Sequence, residues 1–176
     1  MKKLLLGLML LLALAGSFAQ GLQSPEQYLG YKIGSRYTRH NKVVDYFKAV
    51  AQAKPDMVKL EKYGETNEGR ELMLAFIASP ENLQKLELIR ANNLRLAGLS
   101  NDKTAASVES APGIVWLSYN VHGNEPSSSE ADLMTLYALV DPANGQTKNW
   151  LRNTIVVIDH YTNPVGRDRY VTWSNR

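Results

Sequence analysis

The sequence lacks cysteine: none of its 176 residues is one. This absence excludes disulfide scaffolds, cysteine-based zinc sites, iron–sulfur clusters and thiol nucleophiles. It also excludes a lipoprotein, because that modification requires a cysteine at the cleavage site. It does not indicate the redox compartment, since a chain of this length can bury a core without disulfide bonds.

A strong excess of charge is also missing. The chain has 20 Lys and Arg against 17 Asp and Glu, for a net charge of +3. Lys2 and Lys3 supply two of the extra positive charges, so the rest of the chain is nearly neutral. Nucleic-acid binding requires a clustered basic face, and this composition gives it little support.

Long apolar runs are scarce, and the one that stands out lies at the N-terminus. It extends from Leu4 to Ala15, which is shorter than the roughly 20 residues of a membrane-spanning helix. Basic residues precede it, and Ser17-Phe18-Ala19 follows with small residues at positions −3 and −1 of a cleavage site. This order predicts a signal peptide over residues 1–19 and a secreted or periplasmic protein that begins at Gln20. The alternative is a retained N-terminal anchor.

The hydrophobic pattern of the remaining chain alternates between helix and strand periods, which predicts an α/β fold. We expect a mixed, mostly parallel central sheet flanked by helices. The expected elements are an irregular lead-in (20–39), a helix (40–53), a hairpin (57–63 and 71–78), a helix (80–97), a buried strand (113–120), a helix (127–139), a short helix (146–153) and a second buried strand (154–159). No closing helix or strand is predicted after Gly166, so we expect the fold to be incomplete at the C-terminus.

One short segment combines residues that suit metal chemistry. His122 and Glu125 lie on the loop that leaves the strand 113–120, just before a helix. Ligands bind outside the carboxyl ends of strands in open α/β sheets, and imidazole and carboxylate groups suit zinc. Gly123 permits the tight backbone path that directs both side chains to one point. The alternative is an exposed histidine in a turn, with Glu125 complementing the helix dipole.

Three motifs in order resemble the M14 (carboxypeptidase A-like) zinc carboxypeptidases. The segment Tyr119–Pro126 resembles the family's zinc-binding His-Gly-x-Glu motif, and Glu68–Leu72 resembles its hairpin motif. The segment Asn163–Gly166 resembles the Asn-Pro-Asp-Gly turn, with Val165 in place of Asp. The run Arg167–Val171 is similar to the exported bacterial branch. The resemblance covers residues 40–176, which we interpret as the N-terminal part of the peptidase domain.

The resemblance implies an eight-stranded mixed sheet and one zinc ion that activates a water molecule to cleave peptide bonds at substrate C-termini. It makes His122 and Glu125 the first two zinc ligands. The third ligand, the general base and the carboxylate-binding residues would follow residue 176, so this chain alone is expected to be inactive. Weak candidates for the oxyanion arginine are Arg167, Arg169 and Arg176, each of which is more often a solvated or structural charge. We expect a peptide or protein C-terminus as substrate, with no nucleic acid and no stable membrane anchor.

The other titratable residues have simpler interpretations. His160 follows a buried strand and is expected in the core or at its rim; it could be a third ligand only if the family interpretation fails. His40 and Glu130 are expected to be exposed. A catalytically inactive binding module on the same fold is the main alternative function. An α/β hydrolase is disfavoured because the chain has no Gly-x-Ser-x-Gly motif.

Overall fold

The computed structural model describes residues 21–102, 104–109, 111–160 and 162–175. The predicted signal peptide (1–19) and Arg176 lie outside the described residues. The elements are α1 (Pro25–Leu29), α2 (His40–Ala53), β1 (Val58–Glu65), β2 (Glu71–Ile77), α3 (Pro80–Gln84), α4 (Leu86–Leu96), β3 (Gly113–Ser118), α5 (Ser127–Val140), α6 (Gly145–Leu151), β4 (Thr154–Asp159) and α7 (Pro164–Ser174).

The four strands form one mixed sheet in the order β1-β2-β4-β3. The α/β class with a helix-flanked mixed sheet is confirmed. The expectation of mostly parallel pairing is wrong for the described strands, since β3–β4 is parallel whereas β1–β2 and β2–β4 are antiparallel. The reason is the hairpin: it contributes two strands, and β2 then pairs with β4 in the opposite direction.

The predicted hairpin is confirmed, and its turn depends on local chemistry. Gly69 has a φ of 73°, in the left-handed region that favours glycine. The amide of Thr66 donates to the carbonyl of Arg70 (2.9 Å), and the Thr66 hydroxyl accepts from the Arg70 amide (3.2 Å). These contacts fix the start of β2 at Glu71.

The main core lies on the sheet face covered by α2 and α5. Both helices contribute apolar residues to it, including Phe47 of α2 and Leu133 and Leu136 of α5, and these form one cluster with Ile158 of β4. Each fully buried leucine stabilises the fold by roughly 2 kcal/mol. A smaller cluster under α4 covers the other face, against Ile155 and Val157. The strand β4 is therefore covered on both faces, as predicted.

The strand β3 departs from its expected burial. Its apolar run predicts a buried strand, but Ile114, Val115 and Trp116 are 44–55% exposed. Within the described residues β3 pairs with β4 alone, so its other edge and much of its surface face solvent. An apolar sequence indicates that a strand tends to be buried, but it does not show whether another strand or helix covers it.

Three segments of the chain differ from their predicted helical structure. The lead-in is not entirely irregular: Ser24 and Gln27 form a reciprocal cap at the start of α1. The single helix expected over 80–97 is two helices that meet at Lys85. Residues 164–174 form α7, where the sequence pattern predicts no helix. Asn163 caps α7 and Pro164 occupies its first turn, which is a helix-start signal as well as a turn signal.

No helix in the described ranges has both the length and the apolar composition that crossing a membrane requires.

Candidate metal centre

The candidate site lies where the parallel strands β3 and β4 end side by side. The chain leaving β3 and the chain leaving β4 are joined by backbone hydrogen bonds. The amide of Tyr119 donates to the carbonyl of Asp159 (2.9 Å), and the amide of Thr162 donates to the carbonyl of Tyr119 (3.3 Å). The two loops that carry the zinc-type motif and the Asn-Pro-x-Gly motif are therefore neighbours.

A buried asparagine turns the chain sharply out of β3. Asn120 is 1% exposed and has a φ of 53°, the one positive value among the non-glycine residues described. Its side-chain Oδ1 accepts from the Ser129 hydroxyl (2.9 Å), and its backbone amide donates to the Ser128 hydroxyl (2.8 Å). Its Nδ2 donates to the carbonyl of His160 (3.4 Å). These bonds tie the end of β3 to the first turn of α5 and offset the cost of the left-handed backbone.

The next residues form a turn that directs His122 and Glu125 outward. The amide of Glu125 donates to the carbonyl of His122 (3.1 Å), and both side chains are exposed. Gly123, between them, is buried against the start of α7. A Cβ atom there would lie 2.1 Å from the carbonyl carbon of Gly166 and 2.2 Å from the amide nitrogen of Arg167. Only glycine permits this approach.

The exposed imidazole and carboxylate suit zinc in the chemistry of their donor atoms. They supply two donor groups, whereas a catalytic zinc site usually has three protein ligands and a water molecule. Across the described ranges there is no group of three or more His, Asp or Glu residues placed to hold a metal ion. Within the described residues, His122 and Glu125 are therefore two candidate donors without a third beside them.

Arg167 and Glu130 form a buried ion pair directly beneath this turn. The Arg167 side chain is fully buried, and its Nη2 donates to both carboxylate oxygens of Glu130 (3.1 and 2.9 Å). The expectation that Glu130 is exposed is therefore wrong. All three guanidinium nitrogens donate to protein acceptors, so Arg167 is a structural charge in this structure. Arg169 is exposed and pairs with Glu68, and Arg176 lies outside the described residues.

The two remaining histidines lie in the core. His160 is fully buried, and its ring stacks on Phe47 (4.8 Å between ring centroids) and faces His40 (6.1 Å). Its Nδ1 lies 3.0 Å from the carbonyl of Met73. His40 is 4% exposed, so its predicted exposure is wrong. Desolvation lowers the pKa of both rings, that of His160 to about 4.

The buried histidines predict a pH dependence of stability. The unfolded chain protonates His160 near pH 6.5, whereas burial lowers the pKa of the folded ring to about 4. Between these values the unfolded state binds the extra proton, so the free energy of unfolding falls as the pH drops from 6.5 to 4, by up to about 3 kcal/mol. His40 acts in the same direction.

Urea unfolding of the wild type and of His160→Asn across this pH range measures the effect. We expect a shallower dependence in the variant, since an asparagine side chain does not titrate, and a residual slope from His40. An equally steep profile in the variant would show that His160 is not held neutral in the folded chain.

Sequence reasoning missed the buried roles of Glu130 and His40, although a signal was present. Glu130 precedes Leu133 by three residues in α5, and His40 precedes Val43 by three residues in α2. Helical periodicity therefore places both on the core face of their helices. Because Glu130 is charged and His40 is polar, both were predicted to be exposed in spite of this spacing.

Comparisons with known proteins agree with the fold and the motifs. Residues 43–176 match the Peptidase M14 family of zinc carboxypeptidases, and the chain belongs to this family. It is similar to carboxypeptidase A from Helicoverpa armigera (18% identity, TM-score 0.58), with 89% of this chain and 32% of that chain covered. It is also similar to bovine thrombin-activatable fibrinolysis inhibitor in complex with tick carboxypeptidase inhibitor (16% identity, TM-score 0.53), with 79% and 34% covered.

The chain thus spans about a third of the length of these solved proteins. At this level of identity the likeness concerns the fold. No curated protein matches the chain.

Proposed function

We propose that this chain carries the first two zinc ligands, His122 and Glu125, of an exported zinc metallocarboxypeptidase. The observation that carries the proposal is the turn after β3, which exposes both donors at the carboxyl ends of two parallel strands in a chain of the zinc carboxypeptidase family. A bound zinc ion would lower the pKa of a coordinated water molecule and polarise the scissile carbonyl. The substrate would be the C-terminus of a peptide or protein.

The rest of the active site is proposed to lie beyond residue 176. Among the described residues, none is supported as the third ligand, the general base or a group that binds the substrate carboxylate. Arg167 is engaged in a buried pair and Arg169 in a surface pair, so neither is offered as the oxyanion arginine. The 176-residue chain should accordingly bind zinc weakly and hydrolyse nothing.

The test compares the 176-residue chain with the same chain extended by its downstream reading frame. Zinc is measured by plasma emission and hydrolysis with a blocked dipeptide. We expect one tightly bound zinc ion and turnover only in the extended protein. Tight zinc without turnover would favour the inactive binding module. Turnover by the shorter chain would show that groups within residues 1–176 complete the site.

Export is a separate proposal that rests on the N-terminal sequence. In a bacterium with a secretory pathway, the protein should lose residues 1–19 because their basic, apolar and small-residue order suits signal peptidase. N-terminal sequencing of the secreted or periplasmic product should begin at Gln20. Replacing Ala19 by a bulky residue such as Phe should block processing at this bond. A membrane-bound product that retains Met1 would contradict the proposal.

A further inference from the structure

We propose that Arg167 is a positioning residue: its buried guanidinium fixes the path of the ligand loop, residues 122–126, and thereby the place of Glu125. The part of this inference that concerns zinc rests on the proposed function. The part that concerns the loop does not, because it follows from contacts within the protein.

The guanidinium binds three sites that are all distant from Arg167 in sequence. Its Nη1 donates to the carbonyls of Glu125 (3.5 Å) and Pro126 (3.0 Å) in the ligand loop. Its Nε donates to the carbonyl of Thr38 in the lead-in (3.4 Å), and its Nη2 donates to Glu130 on α5. A side chain from α7 therefore binds the backbone of Glu125 itself.

The choice of arginine fits this task. Its planar group offers five donors in a fixed fork, whereas lysine offers a single charged centre on a flexible stem. Burying such a cation is costly unless it is paired. Glu130 supplies the pairing charge, and its Oε1 also accepts from the amide of Thr38 (2.7 Å). The pair thereby leaves Nη1 free to bind the loop carbonyls.

A second contact holds the loop from the same turn of α7. The backbone of Gly166 and Arg167 approaches Gly123 so closely that a Cβ atom on Gly123 would overlap it. The side chain of Arg167 holds the loop again two and three residues later, at Glu125 and Pro126. Glu125 is thus fixed by α7 from both sides, while its own side chain stays exposed to a metal ion.

Buried ion pairs are frequently replaceable by apolar residues without loss of stability. Stability and positioning can therefore be separated by experiment. Arg167→Met with Glu130→Leu removes both charges and should keep the fold, but it deprives the loop carbonyls of their donor. Arg167→Lys retains the charge pair and loses the fork. Arg169→Met is the matched control, because Arg169 lies on the same helix and is exposed.

Two readouts are made on the full chain. Amide hydrogen exchange of residues 122–125 is measured without metal, because Pro126 has no amide hydrogen. Zinc affinity is measured by following the His122 ring signals during a Zn²⁺ titration. We expect faster exchange in this loop, and zinc affinity lower by about 10- to 100-fold, in Arg167→Lys and in the double variant. Arg169→Met should match the wild type in both readouts.

Wild-type exchange in the loop of both Arg167 variants would overturn the positioning role. The proposed function fails in a different way: wild-type zinc affinity would then equal that of His122→Ala. In that case the exchange data, which need no metal, still decide whether Arg167 positions the loop.

Discussion

Replacing His122 by alanine in the protein that carries its downstream sequence is expected to abolish zinc content and peptide hydrolysis together. A catalytic zinc ion has about three protein ligands, so the loss of one leaves too few to hold it. The loss of zinc affinity should exceed ~100-fold, which is the upper range seen when a residue that only hydrogen-bonds a metal ligand is replaced. Zinc is measured by plasma emission, and hydrolysis with a blocked dipeptide.

Glu125 should be equally essential, and its charge should matter more than its shape. Glu125→Gln keeps the size of the side chain but removes the anionic donor, so we expect nearly the loss seen in Glu125→Ala. Glu61→Gln, which alters an exposed carboxylate on β1, is the control and should retain both zinc and activity. Zinc and turnover that persist in His122→Ala would show that the metal is held elsewhere.

The second large effect is expected from Gly123→Ala, which adds one methyl group to the ligand loop where the loop contacts the start of α7. The new Cβ atom would lie 2.1 Å from a backbone atom of Gly166 and 2.2 Å from one of Arg167. A flexible side chain could adopt another rotamer to relieve such an overlap, but backbone atoms cannot. Either the loop or α7 must move. We expect the free energy of unfolding to fall by about 3 kcal/mol, which is large for an added methyl group.

Urea unfolding of the variant measures this loss. Gly145→Ala is the matched control, because a Cβ atom at Gly145 meets nothing within 4 Å. It should remain within about 0.5 kcal/mol of the wild type or be more stable, since alanine suits a helix better than glycine. A Gly123→Ala protein as stable as the wild type would mean that the loop and α7 are not in close contact.

The elements that sequence predicted well are those whose pattern depends on their own residues. The amphipathic spacing of Val43, Phe47 and Val50, followed by Pro55, predicted α2. The turn signal at Gly69 separated β1 from β2, although Gly64, also expected in the turn, lies within β1. The continuous apolar run of β4 also predicted its burial. In each case the local pattern and the tertiary environment agree.

The failures concern residues whose environment is set by distant parts of the chain. Glu130 is buried because Arg167, 37 residues later, neutralises it, and because the Thr38 amide, 92 residues earlier, donates to it. The exposure of β3 depends on which strands pair with it. Neither the burial of Glu130 nor the exposure of β3 can be predicted from the neighbouring residues in the sequence.

The candidate site likewise has residues that could be predicted from the sequence and contacts that could not. His122 and Glu125 could be selected because a short motif and its position after a strand suffice to mark them. The contacts that shape their loop could not be predicted. Asn120 was not singled out, Gly123 was chosen for its backbone path and not for its contact with Gly166, and Arg167 was considered only as an oxyanion group. Each acts through a contact that only the folded chain forms.

The most direct test of the central claim is the position of zinc in crystals of the protein with its downstream sequence, located by anomalous scattering at the zinc edge. We predict a single peak about 2.0–2.1 Å from an imidazole nitrogen of His122 and about 2.0–2.2 Å from a carboxylate oxygen of Glu125. A peak coordinated by other residues, with His122 and Glu125 unliganded, would contradict the assignment.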